Sequence, residues 1–179
     1  MKRRSAVATL VTALALVLVG GAARAASIDP FIGTYVGTAV VESDEKITKR
    51  DLNIVISKKD EGFEIDWTTV IPKEDKTVRR QFKIRFLPTP RPDVFKAAMR
   101  MNAFGAAVPL DPLKGDPYVW ASIRGKSLFV YGILVTDKGG YELQVYQRTL
   151  KPGGMTVRFQ RIHDGKKHKD ITGEVKKVK

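Results

Sequence analysis

The chain contains no cysteine. This absence excludes disulfides, a thiol nucleophile, a CxxC redox pair, thiolate zinc sites and a lipid-modified N-terminal cysteine. A domain of this length can bury a core large enough to fold without such cross-links. Only two histidines are present, His163 and His168, so a metal centre has few nitrogen ligands to draw on.

Long hydrophobic runs are also scarce, and the one present lies at the N-terminus. Residues 5–19 follow the basic sequence MKRR and precede a pair of glycines and the sequence ARA at residues 23–25. This order of basic, apolar and small residues is the pattern of a cleaved signal peptide, and the run is short for a membrane span. We predict cleavage after Ala25 and a single periplasmic or secreted domain over residues 26–179, with an uncleaved anchor as the alternative.

Negative charge is in the minority, since 19 acidic residues face 32 basic ones. Four of the basic residues lie in the predicted leader, which leaves 28 against 19 and a net charge of +9 in the mature chain. Such a charge favours anionic partners, including weak contact with an anionic membrane surface. The basic residues form no stripe with aromatic residues, so nucleic acid is not an expected partner. The oligomeric state does not follow from the sequence.

What the mature chain has in abundance is alternation of apolar and polar residues. The sequence TVRRQFKIRF at residues 77–86 is the clearest example, with every second side chain apolar except Arg80. Eight or nine such runs are joined by tight turns such as Asp164-Gly165, so neighbouring strands are antiparallel. Closing this meander removes its exposed edges. We predict an all-β, up-and-down barrel of eight or nine strands, with a two-sheet sandwich as the alternative.

Residues 88–117 interrupt this pattern with six of the nine prolines. The sequence DVFKAAMRMNAFGAA predicts a short amphipathic helix over residues 93–104. Its apolar face would contain Val94, Ala98 and Met101, and its basic face Lys96 and Arg100. Such a helix could plug one barrel end, form a methionine-rich lid over a ligand, or touch a membrane surface.

The first predicted strand begins with FIGTYVGTAVV at residues 31–41. An exported meander that opens in this way resembles the calycin superfamily, which comprises lipocalins, fatty-acid-binding proteins and bacterial lipocalin-like proteins. Those proteins commonly start with Gly-x-Trp, which Gly33-Thr34-Tyr35 resembles with tyrosine in place of tryptophan. The resemblance implies an arginine on a late strand packing over that aromatic ring, for which Arg158 and Arg161 are the matches. A helix in mid-series departs from the lipocalin pattern.

Two arginines occupy positions that should point into the barrel. Arg80 lies in phase with Val78 and Phe82, and Arg161 lies in phase with the apolar residues of its own strand. A buried arginine requires an anionic partner. That partner is either the carboxylate of an amphipathic ligand or a protein acid such as Asp66 or Glu142, unless the side chain reaches water.

The apolar part of a ligand would meet large side chains. The candidates are Trp67, Trp120, Tyr131, Met99 and Met101. In a small barrel such aromatic residues also serve as core. Small inward residues would leave room for a ligand, and the residues that meet this description are Gly37, Ala39, Ala121 and Gly132.

Catalysis and metal binding find little support in the sequence. Ser127 does not lie on a nucleophile elbow, and the positive charge of Arg161, Lys166 and Lys167 opposes a cation between His163 and His168. We predict no metal and no cofactor. The expected function is that of an exported binding protein for a small apolar or amphipathic ligand, with an anionic ligand as one form of it. The alternative is a filled barrel that acts as a cell-envelope structural or protein-interaction module.

Overall fold

The computed structural model describes residues 27–43, 46–73, 75–101, 104, 107–108 and 110–179. The predicted signal peptide therefore lies outside the described residues. Among these residues no helix has the length and apolarity needed to cross a membrane. Short 3-10 helices span Asp29–Phe31 and Pro112–Lys114, and nearly all other regular structure is antiparallel β-sheet.

Ten strands close into one barrel in the order β1-β12-β11-β10-β9-β8-β5-β4-β3-β2. The barrel strands are β1 (Gly33–Ser43), β2 (Lys46–Lys59), β3 (Gly62–Pro72), β4 (Thr77–Pro88), β5 (Val94–Ala97), β8 (Tyr118–Arg124), β9 (Ser127–Val135), β10 (Tyr141–Lys151), β11 (Gly154–His163) and β12 (Lys166–Lys177). A separate two-stranded sheet pairs β6 (Arg100–Met101) with β7 (Ala107–Val108). The predicted up-and-down barrel is confirmed, and the strand beyond the predicted eight or nine is β5.

The predicted helix over residues 93–104 is wrong, because β5 occupies its first half. Strand β5 pairs with β4 on one side and with β8 on the other. Phe95 points inward, where its ring meets the edge of Phe63 at a centroid distance of 5.0 Å. Helix propensity differs between residues by only about 0.7 kcal/mol or less. Pairing two strand edges and burying Phe95 outweigh that preference.

The roles proposed for that helix lose their basis with it. Met99 lies beyond the end of β5 and is 52% exposed, while the side chain of Met101 lies outside the described residues. The described residues of this segment therefore place no methionine-rich lid or plug over the barrel. The basic helical face that suggested membrane contact does not form either.

One half of the barrel is filled with large apolar side chains. The fully buried members of this filled half include Phe31, Tyr35, Ile56, Phe63, Ile65, Phe86, Ile123, Leu128, Met155 and Val175. Phe63 and Phe86 stack at a centroid distance of 5.1 Å. The 3-10 helix Asp29–Phe31 covers this end and buries Phe31 against the core. Closure of the barrel end therefore comes from the first described turn of the chain.

Tyr35 occupies the place that the resemblance assigns to a conserved aromatic ring. Its hydroxyl donates a hydrogen bond to the carbonyl oxygen of Phe31 at 2.9 Å, which ties β1 to the closing turn. The cation over the ring is Lys177, with Nζ 5.9 Å from the centroid. The resemblance implied that Arg158 or Arg161 packs over this ring, and that prediction is wrong. Lys177 takes this place because it lies directly opposite Tyr35 in the β1–β12 pair.

The seam between β1 and β12 requires glycine at two positions. A Cβ atom on Gly37 would lie 2.0 Å from the carbonyl oxygen of Glu174, and one on Gly173 would lie 2.4 Å from that of Thr38. Both distances are far below van der Waals contact, so only glycine permits this approach of the two backbones. Gly37 therefore serves barrel closure, and the prediction that it leaves room for a ligand is wrong.

Candidate ligand cavity

The other half of the barrel is hollow and holds a cavity of about 330 Å³. This volume lies at the lower end of the range typical for small-molecule sites. Ala39 and Gly132 line the cavity, and a Cβ atom on Gly132 would meet only Val119 Cγ2, at 3.9 Å. Two of the small residues predicted to leave room therefore do so. A wholly filled barrel, the predicted alternative, does not describe this molecule.

Aromatic side chains form the wall of the cavity beside the filled half. Trp67 stacks on Phe82 at a centroid distance of 5.3 Å and contacts Tyr146 at 5.4 Å. Tyr146 in turn contacts Phe159 at 4.7 Å. All four residues line the cavity. The aromatic wall so defined presents ring faces and edges to an apolar ligand, and Trp67 occupies the place predicted for it.

Four cations converge at the mouth of the cavity from four different strands. These mouth cations are Arg50 on β2, Arg80 on β4, Arg161 on β11 and Lys169 on β12, and all of them line the cavity. Arg161 and Lys169 face each other directly in the β11–β12 pair, and Arg80 faces Thr69 in the β3–β4 pair. The structure thus brings both predicted arginines to the same cavity.

The mouth cations influence one another. Burial lowers the pKa of Arg50, and the charge of Arg80 lowers it further. Burial also lowers the pKa of Lys169, with added effects from Arg50, Arg161 and Arg80. Like charges held together raise the free energy of the charged state. An anion at the mouth would relieve this repulsion.

Glu142 is the acidic residue that reaches this group from the inward side of β10. Its Oε1 lies 3.3 Å from Arg161 Nε, an ion pair without the alignment of a hydrogen bond. The same oxygen accepts a hydrogen bond from Gln144 Nε2 at 2.7 Å, and Gln144 Oε1 accepts one from the Tyr146 hydroxyl at 3.0 Å. Glu142, one of the two protein acids named as alternative partners for the inward arginines, thus pairs with Arg161. Asp66, the other predicted partner, instead accepts hydrogen bonds from Gln81.

Arg80 differs from Arg161 because it is exposed to solvent and makes no ion pair with any residue in the described part of the chain, so it reaches water, as one of the predicted alternatives stated. The residues that line the cavity include no aspartate and no glutamate. Five inward-facing basic side chains are therefore served by one nearby carboxylate, that of Glu142. The fifth of them, Arg148, lies deepest.

Arg148 is the site residue that sequence reasoning missed. It is 3% exposed, and its Nε and Nη1 atoms have no hydrogen-bond partner within the described ranges. Its guanidinium carbon lies 5.2 Å from the Trp67 ring centroid and 5.9 Å from that of Tyr146. Burial lowers the pKa of Arg148 to about 10, so the group remains charged at neutral pH. The alternation in YELQVYQRTL could have revealed it, because Arg148 lies in phase with Tyr146 and Leu150.

Two predicted ligand residues, Trp120 and Met99, do not line the cavity, and a third, Tyr131, lies at its border. Trp120 and Tyr131 stack on each other at 4.9 Å, on the outer face of β8 and β9, because Ala121 and Val130 take the buried inward positions. Tyr131 nevertheless borders the cavity, although alternation along β9 points its side chain to the outer face. Met99 is exposed beyond β5, as described above.

The two histidines lie side by side across the last hairpin, with ring centroids 5.6 Å apart. His163 Nε2 lies 3.3 Å from Asp164 Oδ2. A bulge at Arg161 and Ile162 shifts the register, so that Arg161 faces Lys169. No group of three or more candidate metal ligands occurs in the parts of the chain that the structure describes.

Comparisons with known proteins bear on the fold. No protein-family model and no curated protein matches this sequence. Among solved structures, the chain is similar to Rv2717c from M. tuberculosis, with 8% identity and a TM-score of 0.51 over 85% of this chain and 95% of that one. It is also similar to the S-type phycobiliprotein lyase CPES from Guillardia theta, with 8% identity and a TM-score of 0.36 over 86% and 94% of the two chains. Only the first likeness is close enough to support a shared barrel fold.

Proposed function

We propose that this protein binds a small amphipathic, anionic molecule in the hollow half of its barrel. The observation that carries the proposal is the excess of cations in a cavity with apolar walls. Arg50, Arg80, Arg161 and Lys169 surround the mouth, and Arg148 lies beneath them. An anionic group would pair with these cations, and an apolar body would pack on the aromatic wall.

The energetics favour an anion over a neutral or cationic ligand. Low-dielectric walls strengthen charge interactions and focus the field of the mouth cations into the cavity. An uncompensated buried charge is unfavourable by several kcal/mol, according to general experience with buried ions. A bound carboxylate would accept charge-assisted hydrogen bonds from the buried cation, and these bonds would offset the unfavourable free energy of its burial. Ligand binding would therefore also raise the stability of the fold.

We further propose that the protein acts as an exported carrier or sensor. Support for export comes from the N-terminal sequence, which has the order of a secretory signal peptide. N-terminal sequencing of protein recovered from the periplasm or medium should begin Ala-Ser-Ile-Asp. Recovery of a chain that starts at Met1 in the membrane fraction would overturn this part of the proposal.

The binding proposal is tested with two amphiphiles that share one tail. Isothermal titration should show binding of dodecanoate and no binding of dodecyltrimethylammonium below its micellar range. Arg80→Ala should weaken dodecanoate binding about tenfold, as expected for loss of a charge-assisted hydrogen bond.

Arg85→Ala is the matched control. Arg85 lies on the same strand as Arg80 but on the outer face, where it pairs with Asp60 at 2.5 Å. This variant should bind dodecanoate as the wild type does. Equal binding of the two amphiphiles, or equal effects of the two arginine substitutions, would contradict the proposal.

A further inference from the structure

The cationic side chains of the cavity form two separate tiers. The outer tier consists of the mouth cations defined above, and the inner tier is Arg148 alone. On β10, Gln144 faces Arg161 at the mouth, whereas Arg148 lies four residues deeper. At about 3.3 Å per residue, this places the backbones of the two tiers roughly 13 Å apart along the strand.

Apolar and aromatic groups separate the two tiers. Tyr146 occupies the inward position between Gln144 and Arg148, and Trp67 packs against it. The guanidinium group of Arg148 lies against both rings. Arg148 is also electrostatically distinct, because burial and Tyr146 determine its pKa, whereas the mouth cations affect one another.

The single nearby carboxylate belongs to the outer tier. Glu142 is held by Arg161 and Gln144 at the mouth. The inner tier has no acidic neighbour among the residues that line the cavity. A ligand with one anionic group could therefore satisfy one tier and would leave the other uncompensated.

We propose that the ligand is a dianion that carries an anionic group at each end of an apolar middle. One anionic group pairs with Arg148 in the interior, and the other pairs with the mouth cations. The middle of the ligand lies along Trp67 and Tyr146. This inference rests on the proposed binding function and adds to it the number and placement of the ligand's charges.

The test compares dicarboxylates with monocarboxylates of the same chain length. Octanedioate, decanedioate and dodecanedioate are titrated beside octanoate, decanoate and dodecanoate. At the length that best spans the two tiers, the wild type should prefer the diacid by about tenfold or more. In Arg148→Met the affinity for the diacid should fall to that for the monoacid. Arg85→Met, which replaces an outward arginine of β4 that pairs with Asp60 and does not line the cavity, should keep the preference.

A second measurement does not depend on any variant. With a diacid labelled with ¹³C at both carboxyl groups, the wild-type complex should show two bound carboxylate resonances. Both should stay ionised well below the pH at which the free diacid takes up protons, because each faces a cation.

The outcomes separate this inference from the proposed function. If monoacids and diacids bind equally at every length, the dianion inference is overturned while the proposed function stands. If neither series binds, the proposed function itself fails. A preference that survives in Arg148→Met, or one bound carboxylate that titrates as in water, would remove Arg148 as the inner anchor.

Discussion

The two halves of this barrel are built from the same strands, but one half is packed with apolar side chains and the other holds a cavity. Along β3, Phe63 and Ile65 are completely buried in the filled half, whereas Thr69 lines the cavity of the hollow half. Along β4, Phe86 is buried at one end and Arg80 faces the cavity at the other. The alternation of inward and outward side chains is the same throughout. The comparison shows that residue size and charge within one inward-facing row divide a packed core from an open cavity.

The largest effect should come from truncating the filled half. Phe63→Ala removes a ring that contacts Phe86 and Phe95, and we expect a loss of about 3–5 kcal/mol in the free energy of unfolding. The matched change in the hollow half is Phe159→Ala, which removes a ring that already borders a cavity. Its effect should be clearly smaller. Urea denaturation with an unchanged m-value measures both, and equal losses would contradict the division between the halves.

The second effect should have the opposite sign. Arg148→Met replaces an uncompensated buried charge with an apolar side chain, and we expect stabilisation of about 1–4 kcal/mol. The pKa of Arg148 is lowered to about 10, so the unfavourable contribution is complete at neutral pH. This destabilisation decreases only as the pH rises above about 10, where Arg148 loses its proton in the folded state. In the unfolded chain the pKa of Arg148 is higher, so the unfolded chain still holds its proton at that pH. Destabilisation by Arg148→Met in urea denaturation at neutral pH would show that the guanidinium is compensated.

A smaller effect concerns the acid at the mouth. Glu142→Gln removes the carboxylate that faces Arg161, so the mouth gains net positive charge. We expect affinity for dodecanoate to rise about fivefold, or ~1 kcal/mol. Glu174→Gln is the control, because Glu174 pairs with Lys151 on the outside of the barrel. A titration in which both variants bind alike would show that Glu142 does not compete with the ligand.

The smallest effect is a proton taken up on binding. The pKa of Lys169 is lowered by burial and by Arg50, Arg161 and Arg80, and a bound anion should raise it again. Affinity should therefore weaken as the pH rises through the lowered pKa of Lys169. Calorimetry at alkaline pH in buffers of different ionisation enthalpy would measure the uptake. Lys169→Met should abolish it, and uptake that persists in this variant would assign the proton to another group.

Sequence reasoning reached the barrel and part of the site because both follow from alternation. Every second residue of a strand faces inward, so Arg80 and Trp67 could be placed before any coordinates were known. The same rule would have placed Arg148. Its significance depends on what surrounds it, and Trp67, whose ring its guanidinium faces, lies far away in sequence on β3.

Other features could not be read from local pattern. In YVWASIRG both phases contain large apolar residues, so the sequence does not show that Ala121 rather than Trp120 faces inward. The inward choice follows from Phe95, which lies opposite Ala121 in the β5–β8 pair. Strand β5 itself was hidden because its residues favour a helix locally. The bulge beside Arg161 shifted the register of the last hairpin by one residue.

The glycine seam has a consequence for the order of events during folding. It joins the first strand to the last, with Tyr35 opposite Lys177, whereas every other pair except β5–β8 links strands joined directly along the chain. Ordering a loop of that length is entropically unfavourable, so contacts across the seam should form late. Until the seam closes, water can reach Arg148. Arg148 is therefore desolvated only in the last step of folding, when the barrel closes. Arg148→Met should therefore slow unfolding more than it speeds folding. The charge of Arg148 would then shorten the lifetime of the folded, empty barrel, and an anion bound to Arg148 would lengthen that lifetime.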